Sequence, residues 1–345
     1  VENDEDYEKA CAIWDTHGCT NLKEYMLLYM KLDIYLLADV VEAFRNKAKA
    51  DDGLNPLNFF GLPGFAWATA LKGLKHPVEL ITDPAMYKFF ESGIRGGMTF
   101  VNKHHVIAEN GIGILYIDIS NLYGWALSMK LPYGNFQWVE DDVHLANILV
   151  DCVNLDLADL DYGYQCEVDL EIDQGLHDFL DDLPIAPEHG LPPNSKVKKL
   201  LLTHKKKFSY VLNWRLLQMY LKLGAKVTKF KSAIKFNQAF IFSDYININT
   251  VKRAASLSEF EKNFYKLMNN ALYGKTIENV KKRVCIRLCQ AAKRLMTYTS
   301  KPSFIKSWKI SDNLIAVKMR KEMVTLDRPS YIGQAVLDLS KLRMY

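Results

Sequence analysis

Residues 113–127 read GILYIDISNLYGWAL, and the reading of this stretch decides the fold. Ile114, Tyr116 and Asp118 alternate with Leu115, Ile117 and Ile119, the period of an extended segment covered on both faces. The expectation is a buried strand that ends at Asp118. A lone carboxylate there is costly to ionise unless cations or donors meet it, so a divalent metal is its natural partner. Ser120, Asn121 and Gly124 then supply turn chemistry that bends the chain and places Tyr123 over whatever binds at the carboxylate. Taken by itself, the stretch is more commonly a strand capped by an acid and followed by a loop.

A second stretch changes that balance. Residues 264–276 read FYKLMNNALYGKT, with Lys266, Asn270, Tyr273 and Gly274 at i, i+4, i+7 and i+8, stacked along one side of a helix. A cation, an amide and a phenol on one stripe ending at a glycine suit a triphosphate, a base and a template backbone in turn. Asp118-Ile-Ser-Asn-Leu-Tyr123 resembles motif A of family B DNA polymerases, and Lys266-Leu-Met-Asn-Asn270-Ala-Leu-Tyr273-Gly274 resembles their motif B, in the family's order and at about its separation. The resemblance implies template-directed DNA synthesis. It makes Asp118 a metal-binding carboxylate, with the carbonyl of Ile119 as a further ligand, and puts Ser120, Asn121 and Leu122 around the nucleotide. Tyr123 becomes the sugar contact, Lys266 the triphosphate cation, and Asn270 and Tyr273 the shapers of the pocket. The implied cofactor is Mg2+, used as a two-metal pair, with Mn2+ as a substitute. The implied partners are primer-template DNA and deoxynucleoside triphosphates.

At 345 residues, with 49% hydrophobic and 12% aromatic content, the chain can bury a sizeable core and form two or three domains, which excludes a disordered or fibrous protein. A net charge of +4 is a weak argument for nucleic acid, but the average hides a segregation. Residues 140–188 carry fifteen Asp and Glu and no Lys or Arg, whereas residues 196–235 carry twelve Lys and Arg and no acid. The second run, interleaved with Phe208, Tyr210 and Trp214, reads as a field for DNA or triphosphate. The six cysteines form no zinc-like spacing and read as reduced thiols of an intracellular protein, with nucleus, mitochondrion and infected cytoplasm not distinguished. No apolar run approaches membrane-spanning length.

In chain order, residues 25–45 read as one amphipathic helix with Leu28, Leu32, Tyr35, Leu36, Val40 and Phe44 on its apolar stripe. Tyr29 and Asp33, one turn apart on it, resemble the third exonuclease motif of family B enzymes, in which the acid holds a metal and the phenol orients water. Residues 51–84 are rich in Gly and Pro and read as a connector. Ile94-Arg95-Gly96-Gly97 resembles the Tyr-x-Gly-Gly signature of protein-primed members, with Ile94 in place of the tyrosine. That likeness implies a template contact by Arg95, Gly96 and Gly97, joined by Gly274 of motif B, while a plain strand-entry turn fits as well. The alternation in residues 164–172 predicts a half-exposed strand with Glu167, Asp169 and Glu171 on its solvated face. Residues 213–226 and 257–272 are expected to be the antiparallel helices of a fingers subdomain, with residues 228–253 connecting them. Strands are expected near 284–288 and 314–319, and a helix over 329–345.

The expected fold class is α+β: a right-hand polymerase palm on an antiparallel sheet with helical fingers, preceded by the end of a 3′–5′ exonuclease domain. Residues 1–60 are the exonuclease remnant, 61–105 the connector, 106–195 the first part of the palm, 196–280 the fingers, and 281–345 the palm continuation with a hairpin insertion. The likeness is greatest to protein-primed enzymes of phages, linear plasmids and large DNA transposons, although priming mode, and with it a terminal protein as a further partner, does not follow from these residues. The family's motif C, Asp-Thr-Asp, does not occur in the sequence, and Asp338 is a poor substitute because it sits in a helical pattern. Two-metal phosphoryl transfer needs carboxylates from both motifs to hold cations about 4 Å apart. The chain therefore reads as a fragment inactive by itself, or as a non-catalytic nucleic-acid-binding relic of an integrated viral or transposon polymerase.

Overall fold

The structure is a computed structural model that describes residues 4–99, 105–108, 111, 113–114 and 118–345. The chain divides into two compact units, Val1–Phe65 and Ala66–Tyr345, with the division inside one helix.

The first unit holds α1 (Asp4–Thr16) and α2 (Leu22–Asp52). Asn21 caps α2 by accepting the amide of Glu24, and Gly53 closes it in the left-handed conformation at φ 65°. The expected helix is present and longer than the sequence suggested. Its apolar stripe is not buried: Tyr35 and Leu36 are more than 60% exposed, and Ala48 is its one buried residue.

In the second unit, α3 (Leu62–Lys72) and α4 (Pro84–Ser92) precede α5 (Leu122–Leu127), β1 (Leu131–Val139), α6 (Asp142–Asn154) and β2 (Tyr162–Ile172). A short turn of helix, α7 (His177–Leu180), and the small ladder of β3 (Glu188–Gly190) with β4 (Lys199–Leu201) lead into β5 (Lys207–Asn213), α8 (Trp214–Lys222) and β6 (Ala225–Ala239). Strands β1, β6, β2 and β5 form one sheet in that order, every pair antiparallel. The α+β class with an antiparallel sheet agrees with expectation.

Each face of this sheet carries its own core. On one face Tyr164, Cys166 and Val168 of β2 pack against Leu145, Ile148 and Cys152 of α6 and Trp214, Leu217 and Tyr220 of α8. On the other, Val211 and Ile234 pack against Phe90 of α4, Ala126 and Leu127 of α5, and Tyr331, Ala335 and Leu339 of α12 (Ser330–Met344). Every residue of α12 from Ser330 to Lys341 is buried, polar Gln334, Asp338, Ser340 and Lys341 included, so it is a central helix covered all round. It lies so close to the end of α10 (Glu259–Thr276) that a Cβ on Gly333 would fall 1.7 Å from Cγ2 of Ile277.

Three expectations need correction. Residues 213–226 and 228–253 are not a fingers helix and its connection: α8 packs on the sheet, and the fifteen-residue β6 is the sheet's longest strand. The antiparallel helix pair is instead α9 (Ser243–Ala255) with α10. Second, β2 is not half-exposed: with β5 and β6 on its edges and side chains covered on both faces, only Glu171 of its eleven residues is exposed. Its acids have partners: Glu167 accepts from the Ser232 hydroxyl, and Asp169 pairs with Lys231 at 2.9 Å and accepts the Ser209 amide. Third, the basic run is free only in part. Lys206, Lys207, Lys226 and Lys231 pair with Glu171, Glu188, Asp173 and Asp169 of the acidic run.

After α10 come β7 (Val284–Cys289), α11 (Ala292–Thr299), β8 (Phe304–Ser311) and β9 (Leu314–Arg320), which form a three-stranded antiparallel sheet ordered β7, β9, β8. The strands near 284–288 and 314–319 and the helix over 329–345 are where the sequence placed them. No helix among the described residues is long and apolar enough to cross a membrane, and all six cysteines are free.

Candidate functional site

The two motifs meet where α5 packs on α10. Asn121 starts α5 from the left-handed region, at φ 56° and ψ 41°, and its carbonyl accepts the Trp125 amide at 2.9 Å. This conformation suits Asn better than most side chains and turns the chain sharply after Asp118. The Asn121 amide then lies over Gly124, where an added Cβ would sit 2.2 Å from Nδ2. The bend delivers Tyr123 to Tyr273 of α10, and the two rings stack at 4.2 Å with 19° between their planes. Burial, with Tyr123 alongside, pushes the Tyr273 phenol well above its ordinary range, so it stays protonated.

Helix α10 is divided lengthwise. Tyr265, Met268, Asn269, Leu272 and Thr276 are buried, and Asn269 accepts from the Asn249 amide of α9 at 3.0 Å. Lys266, Asn270 and Gly274 are exposed on the other side, with Tyr273 at the border. Lys266 has no carboxylate partner among the described residues. Ser258 caps the helix by accepting the Glu261 amide. The stripe read from sequence is therefore a solvent-facing ridge beside the aromatic stack, held in place by a pair of buried asparagines that the spacing argument passed over.

Around Asp118 the outcome differs from expectation. Ile114, Asp118 and Ile119 are all exposed, and the expected buried strand is absent among the described residues, with 115–117 lying outside them. Ser120 is exposed and Leu122 half-buried. The donors available to a metal here are hard oxygens, the Asp118 carboxylate and the Ile119 carbonyl, which suit Mg2+ or Mn2+ in kind. No group of three or more His, Cys, Asp or Glu gathers among the described residues, so a two-metal centre would need further acids.

Arg95 does not reach out to phosphate. It is 8% exposed, its guanidinium lies 3.7 Å from the Tyr210 ring centroid, and it donates to the Val211 carbonyl at 2.7 Å. Gly96 and Gly97 are exposed, and a Cβ built on Gly97 would sit 3.6 Å from the Tyr123 hydroxyl, so this glycine pair borders the aromatic stack. Beneath it runs a buried ionic clasp. Lys341 of α12 donates to the Arg95 carbonyl at 2.8 Å, and Asp338 accepts the Asn213 amide at 2.8 Å and faces Lys341 at 3.6 Å. Burial raises the Asp338 carboxyl and lowers the Lys341 ammonium from their ordinary values. Asp338 is thus a structural partner with no access to a cation site. Sequence offered one signal of this role, an acid and a base nearly one turn apart on a helical segment, Asp338 and Lys341.

Tyr29 and Asp33, both exposed on α2, belong to the first unit. Lys252 lies over the Tyr265 ring at 5.9 Å, between α9 and α10.

Comparison with solved structures gives the fold a context. Phi29 DNA polymerase complexed with single-stranded DNA superposes with a TM-score of 0.50 at 16% identity, covering 92% of this chain and 48% of that one. The same polymerase complexed with primer-template DNA and incoming nucleotide substrates gives 0.49 at 16% identity, over 82% and 44%. The chain thus spans about half the length of the solved polymerases it matches. No curated protein sequence matches it. Residues 2–345 match the family described as DNA polymerase type B, organellar and viral, and the chain belongs to that family.

Proposed function

We propose that residues 118–123 and 266–274 are the nucleotide-binding half of the active centre of a template-directed DNA polymerase that adds deoxynucleotides to a primer 3′ end. The observation that carries this reading is the Tyr123–Tyr273 stack, which joins two motifs about 150 residues apart in sequence beside an unpaired, exposed Lys266. Tyr123 lies under the deoxyribose, where a 2′ hydroxyl would clash, so the sugar is selected by exclusion. Lys266 offsets charge growing on the leaving phosphates, and Asn270 and Tyr273 bound the base and sugar. Gly96, Gly97 and Gly274 let strands approach the backbone closely. Asp118 and the Ile119 carbonyl are this chain's donors for divalent cations, which when bound would stabilise charge on the transferring phosphoryl group. Primer-template DNA and deoxynucleoside triphosphates are the partners, with a terminal protein if priming follows the protein-primed members. Tyr29 and Asp33 are the trace of an exonuclease motif whose other acids are not among the described residues.

The test is a complete polymerase carrying this chain. Tyr123→Ala should admit ribonucleotides, and Asp118→Ala should abolish extension while leaving primer-template affinity within about two-fold. Unchanged sugar selectivity removes Tyr123 from its role, and residual metal-dependent synthesis removes Asp118. A second reading, a nucleic-acid-binding relic without catalysis, draws on the missing cluster of metal-ligating side chains among the described residues. Primer binding without extension in the unsubstituted polymerase would favour it.

A further inference from the structure

The three-stranded sheet and α11 enclose a small separate core of Cys289, Val317 and Met319, with Cys285, Leu295, Tyr298 and Phe304 against it. Beside this core opens a cavity of about 290 Å³ that the proposed active centre does not use. Two kinds of chemistry line it. The inner surface is made by half-buried Tyr298 and Cys285 and by Met319, which is only 6% exposed, while Met323 stands exposed at the edge. The rim carries Arg287, Lys301, Arg320 and Lys321 against one acid, Glu322. None of these four cations has an ion pair among the described residues, and Lys301 stands 5.8 Å from the Tyr298 ring centroid. The geometry is fixed by the backbone, since the Arg320 amide donates to the Ser303 carbonyl and the Phe304 amide to that of Lys301.

A polarizable aromatic floor favours a flat ring, and four unneutralised cations favour a ligand with several anionic oxygens. A nucleotide has both. The size falls at the lower end for small-ligand sites and leaves room for one base. The wider surface argues for a strand over a free nucleotide: between Val284 and Met323 there are nine Lys and Arg and two acids, so phosphates on either side of a seated base also meet positive charge. We propose that this cavity takes one nucleotide of single-stranded DNA, its base against Tyr298 and its flanking phosphates on Arg287, Lys301, Arg320 and Lys321. The inference rests on the reading that the chain works on DNA.

Cys285 lines the cavity and reports its occupancy. The chain is mixed with a fluorescein-labelled single-stranded oligonucleotide, affinity is read by anisotropy, and alkylation of Cys285 by iodoacetamide is followed by peptide mass spectrometry. Exposed Cys11, in the other unit, serves as the reference. The oligonucleotide should slow Cys285 alkylation at least five-fold and leave Cys11 unchanged. Thymidine monophosphate at the same nucleotide concentration should not. Tyr298→Ala should weaken oligonucleotide binding at least five-fold, the lower bound for one lost stacked base. Ser303→Trp, which fills the cavity without changing charge, should abolish the protection, with circular dichroism confirming the fold of both variants. Binding without protection of Cys285 would overturn the cavity assignment and leave the DNA reading standing. Equal protection by the monophosphate would overturn the strand in favour of a free nucleotide. Absence of any oligonucleotide binding would overturn both.

Discussion

Asn121 shows how much of the candidate site depends on a single backbone conformation. Its left-handed φ bends the chain between Asp118 and α5, and its side chain fills the space above Gly124. A β-branched residue pays most in that region, whereas glycine adopts it at no steric cost. Asn121→Val should therefore lower stability by about 1–2 kcal/mol in denaturant unfolding, and Asn121→Gly by less than about 1 kcal/mol. Equal losses would mean that the amide, and not the conformation, matters. At this scale the spacing was legible as geometry: Lys266 and Asn270 share the exposed side of α10, and Tyr273 at its border stacks on Tyr123. It failed at Arg95, because a guanidinium beside two glycines reads as a phosphate ligand until Tyr210, over a hundred residues away, is found beneath it. Nothing local to Arg95 announces that partner.

Among the elements, α12 is the one on which the others close. It touches α4, α5, α10, α8, β1 and β5. Its helical pattern was plain, but its depth was not, since the partners that bury Asp338 and Lys341, Asn213 and Arg95, lie far away in sequence. Asp338→Asn keeps an acceptor for the Asn213 amide but strips Lys341 of its counter-charge in a dry interior. It should cost roughly 3 kcal/mol, read as a shift in urea midpoint at unchanged m-value, and a change below about 1 kcal/mol would refute the clasp. A second, more exposed cluster ties the C-terminal end of α10 to the segments flanking the three-stranded sheet. Glu278 joins Lys275, Arg283 and Arg328. Hydrogen bonding from Arg283 foremost, against burial and aided by Lys275 and Arg328, lowers its carboxyl from 4.5 to about 2. A folded pKa below the unfolded one gives stability that is complete above about pH 4.5 and lost as pH falls through about 2. Glu278→Gln should be less stable than wild type at pH 6, by no more than about 3 kcal/mol, with the gap narrowing toward pH 2. A gap independent of pH would remove the ionic explanation.

Across the whole molecule, the segregated charge of the sequence becomes complementarity in space. The acidic run supplies β2 and the segments beside it, the basic run supplies β5 and β6, and antiparallel pairing sets one against the other. Segregation along the chain thus records strand pairing, which no single-sequence pattern distinguishes from a polyanion-binding field. The same blindness hid β6, whose lysines between apolar and small residues resemble a charged connection until its edges are paired. Charge without an ion pair among the described residues remains in the basic run itself, at Lys196, Lys198 and Lys199 for example, on the ridge of α10 and around the three-stranded sheet. The central claim is that two distant motifs make one nucleotide pocket. Photo-crosslinking of 8-azido-dATP to the chain, with Mg2+ and primer-template DNA and the labelled peptides mapped by mass spectrometry, tests this most directly. Label is expected on the peptides bearing Tyr123 and Tyr273, competed by dATP and reduced at least ten-fold by Lys266→Ala. Specific label confined to other peptides, untouched by that substitution, would contradict it.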